Sequence, residues 1–142
     1  MHSPAIQKLI EQFSKFPTIG PRTAARFVFY LLKLAPQDLE EITKTISDIK
    51  IKVKLCSFCF KPFEPSADSG QEGKLCEICS DNTREKTMLC VLEKETDLET
   101  IEKTKKYLDR YFILGGNVSR LKKEDIQKLR TEDLIRRIKD HQ

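Results

Sequence analysis

Five cysteines carry the most pointed chemistry in this 142-residue sequence, and four of them form two pairs, Cys56-Ser-Phe-Cys59 and Cys76-Glu-Ile-Cys79. Two residues between paired cysteines let one tight turn aim both thiolates at a single ion, and two such turns complete a tetrahedron. Sixteen residues separate the pairs, inside the range of four-cysteine zinc sites. Four protein thiolates leave no open position for water or substrate, so the expectation is one structural Zn(2+). Four unrelated buried thiols, or an iron–sulfur cluster, are the alternatives. The start MHSPAIQKLI lacks the cationic-then-apolar pattern of a secretory leader, which reads as a cytoplasmic chain with no membrane partner. Disulfides are disfavoured in that compartment, which again favours a metal. The fifth cysteine, Cys90, lies in an apolar run and is expected to be a buried core thiol.

A second feature is the turn Pro17-Thr18-Ile19-Gly20-Pro21, placed between two stretches of helical periodicity. This is the layout of a helix-hairpin-helix, in which a tight turn and the start of the second helix point backbone N–H groups at a phosphate. Lys15 before the turn and Arg22 after it would add charge. Such contact is tolerant of sequence and strongly dependent on salt. On these residues alone, a plain helical hairpin joined by a Pro/Gly turn fits equally well. Charge makes the first third the place to look for a phosphate partner, and extra lysines that only keep the chain soluble fit it equally well. The net charge of +4 is uneven, with nine Lys/Arg against five Asp/Glu in residues 1–55 and four against six in residues 56–86.

These features need elements to hold them. Ile6, Leu9, Ile10, Phe13 and Phe16 predict a helix over 4–16, with Ser3 as N-cap and Pro4 at its first position. A second helix is predicted from Pro21 to Ala35 and a third over 37–53, with Leu39, Ile42, Ile46, Ile49 and Val53 in register. Residues 56–80 are rich in Gly, Pro, Ser and Cys and read as a loop-rich insert held by the metal. The run at 87–92 predicts a buried parallel strand, followed by a helix over 97–107, a strand over 110–114 and a last helix over about 123–140. The expected fold class is mixed α+β. It comprises an N-terminal helix-hairpin-helix module (1–54), a small four-cysteine zinc ribbon (55–82) and part of an α/β domain with a short parallel sheet (86–142).

Taken together, the segments resemble the RecR family of bacterial recombination mediators. The residues that carry the likeness are Phe16-Pro-Thr-Ile-Gly-Pro-Arg-Thr-Ala-Ala-Arg26, Cys76-Glu-Ile-Cys-Ser-Asp81, Met88-Leu-Cys-Val-Leu-Glu93, Asp97 to Ile101, Arg110-Tyr-Phe-Ile-Leu-Gly-Gly116 and Leu121. The resemblance covers essentially the whole chain. It implies a Toprim domain after the ribbon, self-association into clamps on single-stranded or gapped DNA, and work with RecO and RecF homologues to load RecA. It makes Lys15, Thr18, Ile19, Gly20, Arg22 and Arg26 the DNA-side residues, and Glu93 with Glu95 candidates for partner contact on the Toprim face. The chain departs from the family pattern in two ways. Thr18 stands where the hairpin usually has glycine, so a positive φ there would strain a β-branched residue. The chain also ends about halfway through the Toprim domain, as a truncated, incomplete or naturally shortened form would.

Catalytic Toprim proteins hold magnesium with a glutamate and an Asp-x-Asp pair. Glu93, Glu95, Asp97 and Glu99 occur here, but no Asp-x-Asp does. The expectation is a non-catalytic scaffold, with Glu93 an acid at a strand end near a helix N-terminus. His2 and His141 stand at the termini and support no catalytic constellation.

Overall fold

A computed structural model describes residues 2–67, 73–117 and 129–140. The chain divides into two compact units, residues 1–49 and 50–142, and the architecture is mixed α+β.

The first unit is a helical hairpin. Helix α1 (Pro4–Phe13) begins at Ser3, whose hydroxyl accepts the N–H of Ile6, with proline at the first helical position. It ends three residues before the predicted boundary, where Ser14 turns its hydroxyl back onto the carbonyl of Ile10. Helix α2 (Pro21–Leu31) packs on α1 around Ile10, Ala24 and Val28, with Ile6, Phe13, Ile19 and Ala25 against them. It stops short of Ala35 because residues 32–35 turn away to let Pro36 open the next helix, α3 (Pro36–Lys52). Proline fits there because it has no N–H to lose at a first position. No residue of α3 is buried, and Ile46 and Ile49 are more than half exposed.

The second unit opens with a two-stranded antiparallel ribbon, β1 (Lys54–Leu55) paired with β2 (Pro62–Phe63). A short helix, α4 (Glu77–Ser80), carries the second cysteine pair. Strand β3 (Leu89–Leu92) then pairs in parallel with β4 (Arg110–Ile113), joined by helix α5 (Glu95–Glu102). The parallel pairing is the predicted one, but burial on both faces of β3 is not. Val91 is 44% exposed although its register partner Phe112 is fully buried with the Phe60 ring against it, so that face of the sheet is covered over β4 and not over β3. Cys90 is likewise half-buried rather than fully enclosed. Helix α5 starts two residues before the predicted helix and stops five residues short of its end. Its terminus bends through a turn in which Lys105 takes a φ of 55°. Tyr107 still faces inward, and its hydroxyl donates to the carbonyl of Arg110. Strand β4 ends at Ile113, and two residues on the chain bends at Gly115, whose φ of 92° suits glycine.

Helix α6 (Thr131–Asp140) is the part of the predicted last helix that lies within the described residues. Ile126 and Leu121 lie outside them, as do residues 68–72 of the cysteine segment and His141. Leu134 is half-buried, whereas Ile135 and Ile138 are about half exposed, so α6 covers the unit only in part.

One buried cluster joins the cysteines to the sheet of the second unit. Cys56, Cys59, Cys76 and Cys79 are buried in the same cluster as Phe63, Ile78, Leu92, Leu98, Tyr111 and Ile113. The amide of Ile113 donates to the carbonyl of Cys59 at 2.9 Å, tying β4 to the first cysteine turn.

Behind that core lies a charged network. The Tyr111 hydroxyl donates to Glu102 Oε2 at 2.9 Å, and Arg84 pairs with Oε1 of the same carboxylate. Burial raises the pKa of Glu102, but the hydrogen bonds from Arg84 and Tyr111 outweigh it and hold the group below the usual carboxylate range. A carboxylate held low in the native state stabilises the fold above its unfolded pKa, near 4.3, and that stability disappears as pH falls through the lowered value. Glu102→Gln is therefore expected to cost about 1–3 kcal/mol at neutral pH, as for lost charge-assisted hydrogen bonds. The difference from the parent should shrink below about pH 4 in urea titrations, as Glu102 protonates.

Candidate functional site

The backbone of residues 56–61 explains how the first pair of cysteines meets. The amide of Phe60 donates to the carbonyl of Cys56 at 3.0 Å, and the amide of Cys56 donates to the carbonyl of Lys61 at 2.9 Å. Closing this loop needs a φ of 64° at Phe60. Phenylalanine is uncommon in the left-handed region. Here its ring is held edge-on to Phe112, with the Arg130 guanidinium 4.6 Å from its centre. The second pair sits at the start of α4, whose N-cap is Cys76. The sulfurs of Cys56, Cys59, Cys76 and Cys79 all lie within 4.8 Å of one another, and all four residues are buried.

The surroundings suit thiolates. The amide of Lys61 donates to Cys59 Sγ and that of Cys76 to Cys56 Sγ, each at 3.4 Å. Crowding splits the acidities of the thiols. Hydrogen bonds from Cys59, then from Cys76 and Cys79, push Cys56 far below the ordinary thiol range. The same proximity, to Cys56 first, drives Cys79 far above it. Four sulfurs this close cannot all ionise without a cation among them. The four cysteines are thus positioned to hold a metal ion. Among the described residues they are the one group of three or more such side chains brought together.

In the first unit the turn between α1 and α2 brings the hairpin residues to one exposed end. Thr18 does take a φ of 64°. A β-branched residue in the left-handed region costs of order 1–2 kcal/mol. Thr18→Gly is accordingly expected to raise stability by roughly 1 kcal/mol, read as a higher urea midpoint with an unchanged slope. The side chain of Ile19 is half-buried in the apolar cluster, and its N–H is used on the carbonyl of Phe16 at 3.2 Å. Ile19 therefore anchors the turn rather than facing outward. Gly20 caps α2 with φ −84° and no side-chain hydrogen bond. The first intrahelical bond runs from the Ala24 amide to the Gly20 carbonyl at 3.0 Å, so the amides of Arg22 and Thr23 have no acceptor inside the helix.

Arg22 and Arg26 are both exposed and lie one turn apart on α2. Like charges at this spacing oppose helix formation slightly, so the pair is not there for stability. Lys15 is exposed, with Nζ 3.2 Å from Gln12 Oε1. The turn thus offers unsatisfied amides, a helix N-terminus and two or three cations, which is the chemistry of an anion site.

Glu93 is exposed at the end of β3, and its backbone carbonyl accepts the amide of Gly115 at 3.0 Å. Glu95 opens α5, where Asp97 accepts the amide of Lys94 at 3.3 Å. The acids sit at a helix start, as their spacing implies, and are not gathered into a cluster. The sequence reading missed the sulfur-directed amides, the positive φ at Phe60, and the reach of Arg137 to the carbonyl of Ser57 at 2.6 Å. Eighty positions separate that last pair, and no local pattern announces such a contact.

A family model described as RecR, helix-hairpin-helix, matches residues 6–50. The chain is 31% identical over 140 residues to the "Recombination protein RecR" of Paenarthrobacter aurescens, covering 99% of this chain and 66% of that protein. It is 34% identical over 142 residues to the protein of the same name in Gloeothece citriformis, covering 100% of this chain and 67% of that one. A Chloroflexus aurantiacus protein, also named for recombination, is 36% identical over 134 residues. The chain spans 64% to 66% of the length of the Nocardia farcinica and Paenarthrobacter relatives.

Proposed function

From the premise that this chain belongs to the RecR family, we propose that it is a non-catalytic DNA-binding protein of recombinational repair. In this role the exposed turn of residues 17–22 grips the sugar-phosphate backbone, and a structural zinc ion braces the second unit. The observation that carries the reading is the geometry of that turn. The amides of Arg22 and Thr23, without an acceptor inside the helix, open α2 beside the exposed side chains of Arg22 and Arg26.

Zinc is the ion of choice for four buried thiolates, because it is soft enough for sulfur and content with a tetrahedron. Its chemistry at a closed site is structural. The thiolates hold it, and the amides of Lys61 and Cys76 steady their charge. Glu93 is exposed at the end of β3, open to a protein partner. Glu93 and Glu95 then serve as a face for protein partners, and the family likeness points to RecO and RecF homologues and to loading of RecA at gaps, in the cytoplasm.

Self-association fits the first unit. Phe27, Tyr30, Leu32, Leu39, Ile42 and Ile46 are each at least 37% exposed. Phe27, Tyr30, Leu39, Ile42 and Ile46 line one groove, and an exposed apolar surface of this kind marks an interface.

Gly20 supplies the test. A Cβ built there would meet nothing within 4 Å, and its φ is ordinary. Gly20→Ala is therefore expected to fold normally, with at most about 1 kcal/mol lost from the N-cap. If a phosphate lies against the turn, the added methyl blocks it. The affinity for a single-stranded oligonucleotide, read by fluorescence anisotropy, should fall about tenfold. Unchanged affinity would count against backbone contact at this turn.

A further inference from the structure

Several cationic side chains of the second unit have carboxylate or carbonyl partners. Arg84 pairs with Glu102 and Asp81, Arg136 pairs with Asp133, Lys61 pairs with Glu77, and Arg130 donates to the carbonyl of Ile113. Among the described residues Arg110, Arg137 and Lys86 make no ion pair.

All three line one cavity of about 230 Å³, together with Phe58, Met88 and Ile138, and no carboxylate is among its lining residues. The ring of Phe58 organises two of them. The Arg110 guanidinium lies 4.8 Å from the ring centre and that of Arg137 5.3 Å. Arg137 is fixed further by its hydrogen bond to the Ser57 carbonyl, and its Nε is buried without an acceptor. A second cavity of about 380 Å³ shares Phe58, Arg110 and Arg137, and Asp140 is the one acid on its wall.

Gathering three cations around one cavity with no carboxylate on its wall, two of them against one aromatic ring, costs electrostatic free energy, and an anion in the cavity recovers it. A buried donor with no acceptor asks for the same partner. Arginine forks fit phosphate oxygens in pairs, and their flat faces stack on bases. The exposed side chains of Met88 and Ile138 offer the apolar contact that an unstacked base prefers to water.

We propose that the cavity formed by Arg110, Arg137, Lys86 and Phe58 is a second nucleic-acid site, which takes a phosphate and its base from a single strand. It extends the DNA-binding reading above and is independent of the hairpin's residues.

The test uses the zinc-loaded full chain and a fluorescent oligothymidylate, with affinity measured across a salt series. Arg110→Gln, Arg137→Gln and Lys86→Glu are compared with Arg22→Gln. Lys86 is exposed, so its variant stands even if the arginine variants fold poorly. Each cavity variant is expected to bind about three- to tenfold more weakly at low salt, and each lost phosphate contact should reduce the log–log salt slope by roughly 0.7. Photocrosslinking of bromouracil-substituted strand should label peptides containing Met88 or Ile138. The hairpin reading fails if Arg22→Gln binds like the parent. The cavity proposal fails if its three variants keep the parental slope, whatever Arg22→Gln does. It is also overturned if oligoglutamate displaces the strand from the cavity as effectively as oligothymidylate does, since the site would then belong to an acidic protein partner.

Discussion

Cys79→Ser is expected to abolish metal binding and with it the cooperative unfolding transition of the second unit. Four of the ten residues in that unit's buried cluster are the cysteines themselves. In the variant three buried thiols and a hydroxyl stand where four thiolates would hold the ion, and the remaining apolar contacts come from Phe63, Ile78, Leu92, Leu98, Tyr111 and Ile113. Structural zinc contributes an apparent 10–16 kcal/mol to small domains, about as large as the whole stability of an ordinary one. Loss of the metal therefore outweighs any single packing change in the molecule. Elemental analysis should fall from one zinc per chain to none, and the near-ultraviolet circular dichroism of the tyrosines should collapse. Chelation of the parent protein should do the same, more readily as pH falls, because protons compete with the metal for the thiolates. A Cys79→Ser protein with full metal content and an unaltered melt would show that the cluster is only four packed thiols. Cys90→Ser is the control. Cys90 lies outside the cluster of sulfurs and is half-buried, so zinc content should not change.

The second large effect is expected at the hairpin. Replacing Arg22 and Arg26 together by glutamine should weaken binding of a single strand about 30- to 100-fold at low salt, and reduce the log–log salt slope by about 1.4. Stability should hold or rise slightly, since the change removes two like charges one helical turn apart. This combination separates a contact residue from a structural one. A variant that lost binding through misfolding would lose its melting transition as well. The stable, weakly binding result assigns the two charges to the partner rather than to the fold.

Much of this was legible in the sequence because it is local. The Cys-x-x-Cys spacing fixes its own turn, and the four sulfurs meet as that spacing requires. Ser3, Pro4, Gly20 and Pro21 announce the helix starts through capping and a fixed φ, and α1 and α2 begin where those residues place them. Thr18 in a glycine's place pointed to a strained φ, which the backbone has. Helix ends were less legible. Apolar periodicity continues through Leu34 and Tyr107, although the chain has already left the helix, because those residues still pack inward from turns. Val91 reads as buried because a continuous apolar run does not say which strands of a sheet are covered. The arrangement around Phe58 was hidden altogether. It joins residues from the cysteine turn, β4 and α6, and depends on tertiary packing that no short window contains.

The central claim is that main-chain amides at the start of α2 meet a phosphate, and amide resonances report this directly. The measurement is a ¹⁵N–¹H titration of the zinc-loaded protein with a short single-stranded oligonucleotide at low ionic strength. The amides of Gly20, Arg22 and Thr23 should move first and furthest, and added salt should reverse the shifts. Binding that leaves those three resonances in place would contradict the claim, and so would the absence of any binding.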